Sequence, residues 1–135
     1  MANAELAVKP SREEKRFLME AALLMRDADR LDEAKTMFEG IIPLVEDKHL
    51  PIIGIGTIHF AKGEFDDAVE QFEKATEIDP TCAIAYAHLG EALAFSKHLD
   101  EAELALQKAT ELDPSGENGG EMARTIQKFL SYGLL

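Results

Sequence analysis

The sequence holds one cysteine, Cys82. A single thiol closes no internal disulfide, so an oxidised, secreted scaffold gains no support. No run approaches 18 apolar residues, so no segment reads as a bilayer-spanning helix. Met1 to Pro10 lacks a basic region followed by an apolar run and is not read as a signal peptide. Positive charge is scarce. Fourteen Lys and Arg face 26 Asp and Glu, for a formal net charge of −12. That balance repels phosphate backbones and anionic lipid, so nucleic acid and membrane surfaces are poor partners. A cytoplasmic protein is the simplest expectation.

What is present is a repeat. Ala34, Ala68 and Ala102 stand 34 residues apart. Each closes a similar tripeptide: Asp32-Glu33-Ala34, Asp66-Asp67-Ala68 and Asp100-Glu101-Ala102. A 34-residue period signals stacked helix–turn–helix units rather than one closed globule. Such a stack offers a long concave surface, which suits holding a partner better than cutting one. With 135 residues and 46% hydrophobic content, the chain has the mass for one continuous core.

The pattern places the elements. Residues 1–11 read as a flexible tail. Ser11 and Glu14 form a capping box that starts a helix at Arg12. Phe17, Leu18, Ala21, Leu24 and Met25 recur at helical spacing. The chain turns at Asp29-Arg30-Leu31, and a second helix runs from Asp32 until Pro43 ends or kinks it. Leu50 to Lys62 is ambiguous. Ile52, Ile53, Ile55, Thr57, Ile58 and Phe60 favour strands, and Gly54 and Gly56 each cost a helix about 1 kcal/mol. The repeat register decides for helix, because Ile52, Ile55 and Gly56 lie 34 residues before Tyr86, Leu89 and Gly90. Further helices are expected over Asp66–Ile78, over Cys82–Ser96 with Thr81 as cap, and over Asp100–Leu112. Ser115 to Gly120 reads as a flexible break. Met122, Ile126, Phe129 and Leu130 mark a last amphipathic helix that can cover the open end of the stack.

These residues resemble the tetratricopeptide repeat. Its pattern is met by Tyr86, Leu89-Gly90, Leu93, Ala102, Leu106, Ala109 and Pro114, and by Ile52, Ile55-Gly56, His59, Ala68, Phe72, Ala75 and Pro80. A weaker first unit has Leu18, Ala21-Ala22, Met25, Ala34, Phe38 and Ile41. The resemblance implies an all-α fold: a right-handed superhelical stack of three units, about 15–48, 49–82 and 83–114 within 12–114. A linker and capping helix follow over 115–135. Ala22, Gly56 and Gly90 on the first helices, and Ala34, Ala68 and Ala102 on the second, are small enough to let paired helices approach to about 8–9 Å.

In this family the first helix of each pair lines the concave face. The resemblance therefore implies a peptide-binding groove of Met19, Leu23, Leu50, Ile53, Thr57, Phe60, Ile84, Ala87, His88, Glu91 and Phe95. Arg16 and Arg26 belong to the same face and read as solvated. A mostly apolar groove asks for a protein or peptide partner with apolar anchors. The alternative is that the chain's own ends cover it. No Lys, Arg or Asn stands at the second- and third-unit positions that some relatives use to grip a C-terminal carboxylate. A small, acidic three-repeat chain with Gly54-Ile55-Gly56 is also similar to the chaperones of bacterial type III secretion. That likeness implies a chaperone or adaptor. It also brings a homodimer into view, built from the region around Leu6 to Leu24. A structural or regulatory subunit, its groove permanently filled, is the other reading.

No enzyme is expected. The acidic pairs at Asp32, Asp66 and Asp100 have sufficient reason at helix N-termini, where negative charge is favoured by about 0.3–1 kcal/mol each. Cys82 starts a helix and is read as structural. His49, His59, His88 and His98 share no helix face at i, i+4 spacing, so no metal site or cofactor is expected. Gly54-Ile55-Gly56 has neither the preceding strand nor the third glycine of a nucleotide loop.

Overall fold

A computed structural model describes residues 9–135. Most of the expected tail, residues 1–8, lies outside the described residues. The described chain is all helix and turn. The order is α1 (Arg12–Asp27), α2 (Leu31–Ile41), a 3-10 turn (Ile42–Leu44), α3 (His49–Ala61), α4 (Phe65–Ile78), α5 (Ala83–Phe95), α6 (Leu99–Leu112) and α7 (Gly120–Ser131). Consecutive helices pack as antiparallel pairs, α1 with α2, α3 with α4 and α5 with α6, and each pair packs on the next. The result is an all-α stack of three helix pairs. Helix α7 packs on both α5 and α6, covering the end of the last pair.

Local chemistry sets the boundaries. Ser11 Oγ accepts from the Glu14 amide at 3.1 Å, and the Glu14 carboxylate accepts from the Ser11 amide at 3.2 Å. The capping box is therefore complete. Pro43 cannot donate to an α-helix, and the chain tightens into the 3-10 turn there. Each pair turns through one left-handed residue: Asp29, Gly63 and Lys97. The following amide closes each helix end. Arg30 donates to Met25, Glu64 to His59 and His98 to Leu93, all at 2.9 Å.

The core repeats in register. Phe38, Phe72 and Leu106 are 34 residues apart and buried, as are Ala34, Ala68 and Ala102. The small positions have measurable reasons. A Cβ on Gly56 would lie 2.5 Å from the Phe72 ring, and one on Gly90 would lie 2.5 Å from Leu106. One on Gly54 would lie 2.6 Å from Phe38. The β-prone segment is helical because Ile52, Ile53, Ile55 and Ile58 are all buried. Each contributes about 1.5–3 kcal/mol on burial, against about 2 kcal/mol lost to two glycines.

Two local expectations need correction. Thr81 does not cap α5. Its amide and hydroxyl both donate to Asp79 Oδ1, at 3.0 and 2.6 Å, and Cys82 takes the cap position. Ser115 to Gly120 is not a loose break. The buried carboxylate of Asp113 accepts from the Ser115 hydroxyl (2.9 Å) and from the amides of Gly116 (3.2 Å), Asn118 (2.7 Å) and Gly120 (3.0 Å). The Gly120 amide is the largest influence holding the Asp113 carboxyl below its ordinary range.

Candidate groove

Helices α1, α3 and α5 are the first members of the three pairs, and α3 contacts both of the others. Their groove positions fall into three groups. Leu50 and Phe95 are exposed, at 43% and 37%. Met19, Leu23, Thr57, Phe60, Ile84, His88 and Glu91 are half-buried. Ile53 and Ala87 are buried in the stack, at 9% and 0%, so they form floor rather than contact surface.

The exposed Phe95 ring is not isolated. Phe60 meets Phe65 and Phe95 edge-on, with centroids 5.1 and 5.0 Å apart, and Phe65 lies 5.1 Å from Phe95. Phe65, at the start of α4, was not expected in this set. It joins because it follows the turn that returns the chain past Phe60. Aromatic contacts of this geometry add about 0.5–1.5 kcal/mol each beyond area burial.

Polar groups cross the floor between units. Arg26 Nη1 donates to Thr57 Oγ1 at 2.9 Å, and Thr57 donates to the Gly54 carbonyl at 2.7 Å. Arg26 is thus half-buried and bridges two units, rather than standing in solvent. His88 stacks on Phe72 with centroids 5.2 Å apart and rings 13° from parallel. Burial, with the Arg26 charge behind it, pushes the His88 imidazole down to about 4. Burial alone pushes the Glu91 carboxyl up.

Two clefts open at the ends of the groove. One, of about 660 Å³, lies between Arg12, Lys15, Arg16 and Met19 on α1 and Val45 to Pro51 at the start of the second unit. The other, of about 610 Å³, lies between Ile84, Glu91 and Phe95 on α5 and Met122, Ile126 and Phe129 on α7. The first carries three cations, Arg12, Lys15 and Arg16, and two acids, Glu46 and Asp47. The second carries Glu91, Glu117 and Glu121 and no Lys or Arg. The groove therefore carries mixed charge at its first unit and is acidic at its last.

Comparison with known proteins agrees with this geometry. Residues 56–94 match a model described as TPR repeat, and residues 83–115 match one described as tetratricopeptide repeat. Residues 56–115 therefore carry tetratricopeptide repeats. A 55-residue stretch is 44% identical to the small glutamine-rich tetratricopeptide repeat-containing protein 2 of Mycosarcoma maydis, covering 41% of this chain and 16% of that protein. The chain spans 16% or less of the length of the curated relatives it matches. Among solved structures, the Yersinia enterocolitica type III secretion translocator chaperone SycD has a TM-score of 0.79 at 22% identity, over 90% of this chain and 92% of that one. PcrH of Pseudomonas aeruginosa has a TM-score of 0.80 at 18% identity, over 90% of this chain and 95% of that one. At that identity the likeness is one of fold.

The acidic pairs Asp32-Glu33, Asp66-Asp67 and Asp100-Glu101 stand in the first turns of α2, α4 and α6, where the helix dipole accounts for them. His59 is half-buried beside Glu64, with Nδ1 3.1 Å from the carboxylate. Among the described residues, no helix is long and apolar enough to cross a membrane.

Proposed function

We propose that this protein is a chaperone or adaptor whose groove holds an apolar peptide segment of another protein. The observation that carries the proposal is the row of exposed and half-buried apolar residues from Met19 through Leu50 and Phe60 to Ile84 and Phe95. Solved relatives in fold support it. SycD has been solved with a peptide of the translocator YopD, and PcrH with the chaperone-binding region of PopD. The first repeat domain of Spaghetti (RPAP3) has been solved with an HSP90 peptide. A role in type III secretion, in the cytoplasm before export, is the specific form we favour. Neither catalysis nor a bound cofactor is part of it.

The test is affinity capture from the native host, with the retained protein identified by mass. Leu50→Glu and Phe95→Glu place charge at exposed groove positions. We expect the captured partner to be lost while the helical circular dichroism spectrum stays unchanged. Capture that survives both substitutions in a folded protein overturns the groove reading.

A homodimer belongs to the same proposal. Phe17 and Leu24 lie two turns apart on α1 and are each 69% exposed, an apolar stripe that a second copy would cover. Sedimentation of the wild type beside Phe17→Glu reads this directly. The alternative is a structural or regulatory subunit of a larger assembly with its groove permanently filled, and it predicts that the isolated chain oligomerises or aggregates.

A further inference from the structure

Away from the groove, three elements bring unlike donor atoms together. His49 opens α3, Asp79 follows α4 and Cys82 precedes α5. His49 Nε2 lies 3.4 Å from Asp79 Oδ2. One ligand atom from each of the three residues lies within 4.8 Å of the other two. His49 is buried, and Asp79 and Cys82 are half-buried. We propose that His49, Asp79 and Cys82 bind one zinc ion, with water as the fourth ligand, and so clamp the junction of the second and third helix pairs.

The chemistry fits on three counts. Zinc takes sulfur at about 2.3 Å and histidine nitrogen or carboxylate oxygen at about 2.0–2.2 Å, so tetrahedral ligand atoms lie about 3.3–3.6 Å apart. The His49–Asp79 pair already has that spacing, and the Cys82 sulfur lies within 4.8 Å of both. The carboxylate is oriented in advance. Thr81 occupies Oδ1 through its amide and hydroxyl, leaving Oδ2 directed at His49. Outer contacts of this kind fix ligating groups. Charge also balances. A neutral imidazole, a carboxylate and a thiolate sum to −2, which a divalent cation cancels in a half-buried site. Binding displaces the Cys82 thiol proton to solvent as the Zn–S bond forms. A second group, His59, Glu64 and Asp67, has no sulfur and leaves both acids exposed, so it serves as the control.

The proposal is independent of what fills the groove. The full chain, kept reduced, is titrated with Co²⁺ as the spectroscopic probe and then with Zn²⁺. We expect one equivalent of Co²⁺ to give a thiolate-to-cobalt charge-transfer band with the intense visible bands of a tetrahedral ion, both lost when Zn²⁺ is added. His49→Gln and Asp79→Asn should each weaken binding at least tenfold, and His59→Gln should leave it unchanged. Circular dichroism confirms that each variant is folded, and the wild-type titration needs no variant. Absence of the charge-transfer band at one equivalent overturns the proposal. So does a band indifferent to both His49→Gln and Asp79→Asn.

Discussion

Asp29, Gly63 and Lys97 occupy one repeat position and take φ of 63°, 77° and 68°. A left-handed backbone costs an ordinary residue about 1–2 kcal/mol and glycine almost nothing. Lys97→Gly should therefore stabilise the fold by about 1 kcal/mol, and Gly63→Ala should destabilise it by a similar amount. Urea midpoints at constant slope read both. His88 gives a pH signature. Its ordinary value of 6.5 falls to about 4 in the fold. Below pH 6.5 the unfolded chain takes a proton that the fold refuses. Stability therefore drops as pH falls from 6.5 to 4, by at most about 3 kcal/mol. His88→Phe keeps a ring on Phe72 and should flatten the melting temperature across that window. Asp32, lowered chiefly by its hydrogen bond with Lys62, and Asp113 act elsewhere. Their contribution is present above the ordinary carboxylate value and is lost as pH falls below about 4.

At the scale of the element, α3 shows how packing overrides propensity. Gly56→Ala should gain about 1 kcal/mol of helix propensity. The new Cβ, however, meets Phe72 at 2.5 Å, and Phe72 is held on its other side by His88. Overpacking of about 1–3 kcal/mol should win, so the variant melts lower than wild type. Removing the ring in Phe72→Ala should cost about 3–5 kcal/mol. Chemical denaturation of the two variants orders them. The Ser115–Gly119 connection depends on one carboxylate. Asp113→Ala leaves three loop amides without their acceptor, and hydrogen exchange should rise first in α7.

For the whole molecule, helix pairs stack in one dimension, and α7 closes the exposed face of α5 and α6. The same helix builds the acidic cleft with Ile84, Glu91 and Phe95. Stability and binding are therefore coupled at that end of the groove. A partner held at 100 times its dissociation constant should raise stability by about 2.7 kcal/mol, and a thermal shift with the captured segment measures it.

The period of 34, read from Ala34, Ala68 and Ala102, determined the fold, the pairing and the small contact positions. Those depend on spacing along one chain, which a helix converts directly into faces. Tertiary structure alone decided which groove positions are reachable. Ile53 and Ala87 occupy positions equivalent to half-buried Met19, yet they are buried because α3 and α5 have neighbours on more sides than α1. It alone also drew in Phe65, set Arg26 on Thr57, and converged His49, Asp79 and Cys82. Each of those meetings joins separate helices, and no helical spacing within one element encodes it.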